Sequence, residues 1–274
     1  MTRMDKCYTG KVVSHHEIVR DHFAMSVTSP ARVCEALPGQ FVMMRIKDRE
    51  EPFLSRPLSI CSTSIKGGEA TVELLYRIQG RGTRMFSRLK EGDELTVMGP
   101  LGRGFDVPEL ARRLVLVAGG MGIVPLSFLA ESVRKDNANR QMEVICYVGA
   151  QSPELLLGRD RLEAVCSKVL VSTEDGGEGY CGTVTELLER DMPLFGHEGD
   201  MMFCCGPRPM LKRIAELVEG SSISCQVSME ERMACGVGVC LGCAVRVKSE
   251  DTTHRYMRVC REGPVFDIRE IDWS

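Results

Sequence analysis

The spacing of four cysteines near the end of the chain constrains its fold more than any other feature. Cys235, Cys240 and Cys243 follow the pattern Cys-x4-Cys-x2-Cys within Ser-Met-Glu-Glu-Arg-Met-Ala-Cys-Gly-Val-Gly-Val-Cys-Leu-Gly-Cys at 228–243, and Cys260 follows at a distance. This is the plant-type spacing for a [2Fe-2S] cluster, in which each iron completes its tetrahedron with two thiolates beside two bridging sulfides. Gly236, Gly238 and Gly242 suit a loop that must reach unusual backbone angles and bring amides close to sulfur. A structural zinc site also takes four cysteines, more often as two matched Cys-x2-Cys pairs, so zinc stays open as the rival reading.

Thirteen cysteines would suggest disulfides in a secreted chain, but the first residues lead into no apolar signal segment. A reducing, cytoplasmic setting is therefore expected, with most thiols free and buried. The 274 residues allow about two domains on the usual prior. A formal net charge of -3 offers no basic excess for nucleic acid or an anionic membrane. The longest uncharged run, 114–130, is short for a membrane span and is broken by Gly119, Gly120, Gly122 and Pro125, so it reads as strand, turn and helix.

Residues 1–108 read as short strands at 11–19, 23–27, 40–46, 71–78 and 94–98, punctuated by turns, and predict a closed antiparallel barrel. Two stretches in it could hold an anionic cofactor. Arg56-Pro57-Leu58-Ser59 sets a guanidinium three residues from a hydroxyl. Leu75-Tyr76-Arg77, followed by Gly80-Arg81-Gly82-Thr83, offers a ring, two more cations and a glycine turn opening a helix at 83–89. Singly, each reads more readily as a solvated strand edge or an N-cap.

From 109 to 222 strand and helix signals alternate: strands at 114–118, 142–148, 168–172 and 201–204, and helices at 126–135, 183–191 and 209–218, the second opened by a Thr183 to Glu186 capping box. That order predicts a doubly wound parallel α/β sheet with its ligand loops at the strand C-termini. Gly120-x-Gly122-x-x-Pro125 departs from the dinucleotide fingerprint at its third glycine, but two glycines can admit a pyrophosphate, and proline suits the first turn of a helix. Cys205-Gly206-Pro207-Arg208-Pro209-Met210 is a second turn on the same sheet edge. Together the two turns favour a nicotinamide nucleotide. Residues 223–274 form a small cluster-binding module.

Arg-Pro-x-Ser, Gly-Arg-Gly-Thr, Gly-Pro-Leu-Gly-Arg-Gly-Phe at 99–105, Gly-x-Gly-x-x-Pro, Cys-Gly-Pro-x-Pro-Met and the cysteine stretch occur in order. The chain thereby resembles the ferredoxin-reductase-type flavoproteins, and within them the electron-transfer subunits of NAD-dependent, class 1B dihydroorotate dehydrogenases. The resemblance implies FAD on the barrel, held by Arg56, Pro57, Leu58, Ser59, Leu75, Tyr76, Arg77, Gly82 and Thr83. It places NAD on the second domain, with Gly120 and Gly122 at the pyrophosphate and Cys205, Gly206, Pro207 and Met210 beside the nicotinamide. Cys235, Cys240, Cys243 and Cys260 would bind the cluster. Where many such reductases carry Tyr between the Arg and Ser, Pro57-Leu58 removes one stacking ring. Acidic Glu174-Asp175 would repel a 2′-phosphate, which favours NAD over NADP.

A nicotinamide exchanges two electrons as a hydride, a [2Fe-2S] centre takes one at a time, and a flavin does both, so the expected order is NAD(H), FAD, cluster. His15, His16, His22, His197 and His254 have no acid/base setting and read as surface or core residues. The resemblance puts pyrimidine chemistry and an FMN on a separate catalytic subunit, joined in a heterotetramer. Val237, Val239 and Leu241 would face either that partner or the cluster. The other readings are a reductase subunit of a ferredoxin:NADP or sulfide-dehydrogenase type complex, and a zinc-stabilised redox sensor.

Overall fold

The computed structural model describes residues 6–136, 142–249 and 255–274. Residues 1–5, at the start of the segment searched for a signal, and His254 lie outside them.

Six antiparallel strands close the N-terminal barrel: β1 (Cys7–Val19), β2 (His22–Ser29), β3 (Phe41–Ile46), β4 (Arg56–Lys66), β5 (Glu69–Arg77) and β6 (Glu94–Leu101), in the order β1-β2-β5-β4-β3-β6. A short helix, α1 (Arg81–Phe86), lies between β5 and β6. Strand β4 is absent from the list of sequence-predicted strands because Ser-Ile-Cys-Ser-Thr-Ser offers little apolar alternation; only Leu58, Ile60 and Cys61 of it are buried. Inward-facing Val42, Met44, Leu58, Ile60, Leu74 and Tyr76 fill the interior. The intervening residues face outward, following the two-residue period of a strand.

The second region is a seven-stranded sheet: β7 (Arg113–Gly119), β8 (Glu143–Ala150), β9 (Lys168–Thr173), β10 (Tyr180–Cys181), β11 (Asp200–Cys205), β12 (Ser224–Ser228) and β15 (Val265–Asp267), ordered β10-β9-β8-β7-β11-β12-β15. All pairs are parallel except β12 with β15. Helices α2 (Ile123–Asp136), α3 (Arg159–Glu163), α4 (Val184–Asp191) and α5 (Arg208–Val218) supply the crossovers. Central β7 is buried on both faces: Leu114 and Leu116 join one core cluster and Val115 and Val117 the other, as its unbroken apolar run requires. The capping box of α4 is present, with Glu186 N donating to Thr183 Oγ1 at 3.3 Å and Thr183 N to Glu186 Oε2 at 2.7 Å.

After β12 the chain forms the cysteine loop, a hairpin of β13 (Ala244–Val247) and β14 (Arg255–Arg258), and then β15, which returns to the sheet. The sheet thus runs on past residue 223, where the third module was expected to begin. Barrel and sheet are packed together: Phe128 of α2 joins the barrel core, Phe105 meets Phe203 edge-on at 5.6 Å, and Arg161 of α3 reaches Glu73 at 2.8 Å and Glu131 at 2.8 Å. Among the described residues no helix is long and apolar enough to cross a membrane.

Candidate functional site

The sheet order reverses between β7 and β11, whose connections lead away in opposite directions, and a switch point of this kind sets the ligand crevice of an open α/β sheet beyond their C-terminal ends. Its floor is made of glycines in mutual contact. A Cβ at Gly122 would collide with the Cys205 carbonyl, and one at Gly119 or Gly206 would collide with Met210. Gly122 is therefore a packing glycine joining the two turns. Gly120 differs: its φ is +52° and the space around it is open, so it presents backbone to the crevice. The Cys205 side chain is 2% exposed, and burial raises its thiol pKa. That corrects its expected place beside a nicotinamide, which only its backbone can reach. Pro207 caps α5 and Met210 props the turns from below.

On the barrel, Arg56 and Gly82 come together. The Arg56 guanidinium lies against Gly82 where any side chain would stand, and Nη1 donates to the Leu54 carbonyl at 2.5 Å. A cation is thus fixed at the first turn of α1. Thr83 Oγ1 accepts from the amides of Gln79 at 2.9 Å and Gly80 at 3.3 Å, holding that turn. Strand alternation divides the remaining candidates. Pro57 and Ser59 sit on the outer wall opposite Met43 and Phe41 of β3, whereas Leu58 points into the barrel. Leu75 packs outward against the sheet's core and Arg77 is exposed.

Tyr76 does not offer its ring to a cofactor. It is 2% exposed, stacked on Phe23 at 5.5 Å and meeting Phe86 edge-on at 6.1 Å, inside the barrel. Its hydroxyl lies 2.8 Å from His15 Nε2 while His15 Nδ1 lies 2.8 Å from the Leu89 carbonyl. A neutral imidazole protonated at Nδ1 satisfies all three groups. Period-two alternation around outward Leu75 and Arg77 dictates this inward ring, so both Leu58 and Tyr76 are corrected to barrel-core side chains whose backbone alone can face a ligand.

The four cysteines converge, and they do so as two pairs. Cys235 contacts Cys240, and Cys243 contacts Cys260. Among the described residues no three His, Cys, Asp or Glu side chains gather around one point, as a single ion would need. Backbone amides line the sulfurs: Val237, Val239 and Cys240 donate to Cys235 Sγ at 3.4, 3.3 and 3.4 Å, Gly242 to Cys240 Sγ at 3.5 Å, and Gly238 to Cys260 Sγ at 3.1 Å. Burial opposes ionisation of Cys235, but these amides outweigh it and hold the thiol down to about 6. Burial and neighbouring Cys243 push Cys260 up to about 12. Gly236 and Gly238 have φ of +67° and +79°, as a wrapped loop demands, whereas a Cβ at Gly242 would make only an ordinary contact with Cys240 Sγ. Positive φ falls instead on Leu241.

The cradle fits a two-metal cluster better than one zinc ion: two thiolate pairs, each beside inward-pointing amides, offer two corners to each of two metals. Val239 and Leu241 are 65% and 63% exposed, with Tyr256 of β14 lining the same hollow as Leu241, while Val237 packs inward. Sequence reading passed over Glu230, which follows β12. It is exposed, and desolvation by the protein around it raises its carboxyl pKa while Arg77 partly offsets this. Its charge also acts on Cys205, so it stands between Arg77 of β5 and the turn that follows β11. Its position in the Glu-Glu-Arg-Met-Ala-Cys stretch was the available signal.

Comparison with known proteins adds three matching family models. The oxidoreductase FAD-binding domain matches residues 9–105, the oxidoreductase NAD-binding domain 116–216, and the iron-sulfur cluster binding domain of dihydroorotate dehydrogenase B 230–272. The dihydroorotate dehydrogenase B (NAD(+)) electron transfer subunit of Desulforamulus reducens is 36% identical over 271 residues, 99% of this chain and 100% of that one. Its counterpart from Caldanaerobacter subterraneus subsp. tengcongensis is 36% identical over 262 residues, 96% and 97% of the two chains. Among solved structures, an NADH-dependent reduced ferredoxin-NADP oxidoreductase superposes with a TM-score of 0.81 at 26% identity, covering 96% of this chain and 90% of that one. A ferredoxin NADP+ reductase from Neisseria gonorrhoeae has the same fold, with a TM-score of 0.67 at 18% identity over 82% of this chain and 99% of that one.

Proposed function

Since the chain belongs to the family of dihydroorotate dehydrogenase B electron transfer subunits, we propose that it carries electrons between NAD(H) and an FMN-containing dihydroorotate dehydrogenase catalytic subunit. It is an NAD-linked oxidoreductase with FAD, NAD and iron-sulfur domains in that order along the chain. When bound, these groups would supply two-electron hydride chemistry at the nicotinamide, one- and two-electron chemistry at the flavin, and one-electron chemistry at the [2Fe-2S] cluster.

The residues divide that work. Gly120 presents open backbone to the nucleotide pyrophosphate, and the Gly122 to Cys205 contact holds the second turn beside it. Arg56, seated on Gly82, pairs with the flavin pyrophosphate, and the outer-wall residues Pro57 and Ser59 flank the ring system. Leu75 and Arg77 bound the same wall from β5. Cys235, Cys240, Cys243 and Cys260 hold the cluster. Exposed Val239, Leu241 and Tyr256 form its rim, and this rim docks the catalytic subunit in a cytoplasmic heterotetramer.

The observation that carries this reading is the four-thiol loop seated directly on the barrel wall, where Gly236 packs on Met43 one strand from Pro57. A metal cradle so close to the proposed flavin wall serves as an electron exit. The competing reading, a reductase subunit of a ferredoxin-linked complex, draws on the 26% identical oxidoreductase of the same fold. Co-purification with an FMN subunit, followed by an assay of NAD-linked dihydroorotate oxidation, separates the two. Stable association and coupled turnover support the proposal. Turnover only with ferredoxin would replace it.

A further inference from the structure

We propose that Met43 is the spacer that sets the separation between the flavin wall of the barrel and the four-cysteine loop, and with it the rate at which electrons cross. The inference rests on the assignment of FAD and cluster made above. Met43 is 1% exposed and lies on the outer face of β3, between the strand neighbours Pro57 on β4 and Met98 on β6. Adjacent strands stand about 4.8 Å apart, so its backbone is one strand spacing from the wall that carries Pro57 and Ser59.

Its other contact is with the cluster loop. A Cβ built on Gly236 would fall 2.5 Å from Met43 Cγ and 3.1 Å from Sδ, with Leu101 Cδ1 at 3.4 Å. Gly236 has a φ of +67° and directly follows Cys235. The loop therefore rests a left-handed backbone turn on the Met43 side chain, with Leu101 beside it. Met43 belongs to the same packed core as Phe41, Leu101, Cys243 and Cys260, and close packing on all sides fixes a side chain that is otherwise flexible. Glycine at 236 and methionine at 43 are complementary: the missing Cβ lets the loop settle against the sulfur-bearing chain, and the chain's length sets how far from β4 it settles.

Each crossing moves one electron. The flavin loses one and the cluster gains one, no bond is made or broken, and the hydride donated by NADH supplies two in all. Because electronic coupling falls steeply with distance, a spacer acts on this step and on no other. Met43 acts through its contact with Gly236 of the cysteine loop, so it is a positioning residue.

The test uses the anaerobically purified chain with FAD and cluster bound, mixed rapidly with NADH. Flavin bleaching is followed by absorbance and cluster reduction by freeze-quench EPR. In Met43→Ala, flavin reduction is expected at the wild-type rate while cluster reduction quickens by roughly tenfold as the loop settles closer to β4. Volume-conserving Met43→Leu is expected to stay within about twofold of wild type. A fully loaded Met43→Ala that reduces its cluster at the wild-type rate overturns the proposal, because Met43 would then only fill the core. Should Met43→Ala fail to fold, Gly236→Ala tests the same contact from the other side: cluster reduction per bound cluster is expected to slow, and an unchanged rate overturns the proposal. Wild-type protein without FAD or cluster, or with a cluster that NADH cannot reduce, would overturn the functional reading itself, and that outcome is read before any variant is made.

Discussion

Arg258 clasps Glu262 with its backbone amide, Nε and Nη2 at 2.8, 2.9 and 2.5 Å. Its remaining Nη1 donates to the Gly238 carbonyl at 2.8 Å, and the Gly238 amide donates to Cys260 Sγ at 3.1 Å. One ion pair thus orients the loop that carries a proposed metal ligand, the outer-shell arrangement by which proteins hold ligands in place.

Acid should loosen this clasp in a defined window. The Arg258 hydrogen bonds, working against desolvation, hold the Glu262 carboxyl down to about 2, below an ordinary glutamate at about 4.3. A depressed carboxylate contributes stability that is present above the unfolded value and lost as pH falls through the folded one. The Tm difference between wild type and Glu262→Gln is therefore expected to be flat from pH 8 to about 5 and to close between about 4 and 2. Thermal melts across that range check it; a difference that persists at the acid end would contradict the role given to the pair.

Gly122→Ala is expected to destabilise the chain by about 1–3 kcal/mol, because the new methyl meets the backbone carbonyl of Cys205, which cannot swing aside. KM for NADH should rise with it, since the two turns are forced apart. Gly120→Ala meets open space and carries only the strain of its positive φ, about 1–2 kcal/mol. Denaturant unfolding and steady-state kinetics of both variants check the division between packing and presenting glycine.

Arg56→Ala is expected to lose most bound FAD, while Tyr76→Phe keeps it. The phenylalanine variant retains the stacked ring inside the barrel and forfeits the hydrogen bond to His15, costing about 0.5–1.5 kcal/mol. The flavin-to-protein ratio after purification, with a thermal melt, decides. Loss of FAD in Tyr76→Phe would mean that the tyrosine hydroxyl does serve the cofactor.

These contrasts mark what the sequence could and could not convey. The barrel, the parallel sheet and the cysteine loop were legible because each has a period or spacing of its own: alternation, unbroken apolar runs, and Cys-x4-Cys-x2-Cys. Strand β4 was harder to see because Ser62, Thr63 and Ser64 dilute its alternation. Which side chains of a motif face the ligand was not legible. Arg56-Pro57-Leu58-Ser59 and Leu75-Tyr76-Arg77 each straddle a barrel wall, and only the closed register assigns Leu58 and Tyr76 to the inside. The two glycines of Gly120-x-Gly122 look alike on paper, yet a contact 83 residues away, with Cys205, gives them different work. Glu230 was invisible for the same reason, since the residues its charge acts on or answers to, Arg77 of β5 and Cys205 of β11, come from other strands.

The central claim is that the four thiols are an exit for electrons arriving from the flavin. Its most direct test is Cys240→Ser against wild type, both purified anaerobically, analysed for iron, sulfide, zinc and flavin, and titrated with NADH. Wild type is expected to hold about two irons and two sulfides per chain beside its FAD, and both centres should reduce. Cys240→Ser should keep FAD and its reduction by NADH but lose the cluster signal and all turnover coupled to the catalytic subunit. Zinc without sulfide in the wild type, or coupled turnover undiminished in Cys240→Ser, would contradict the account.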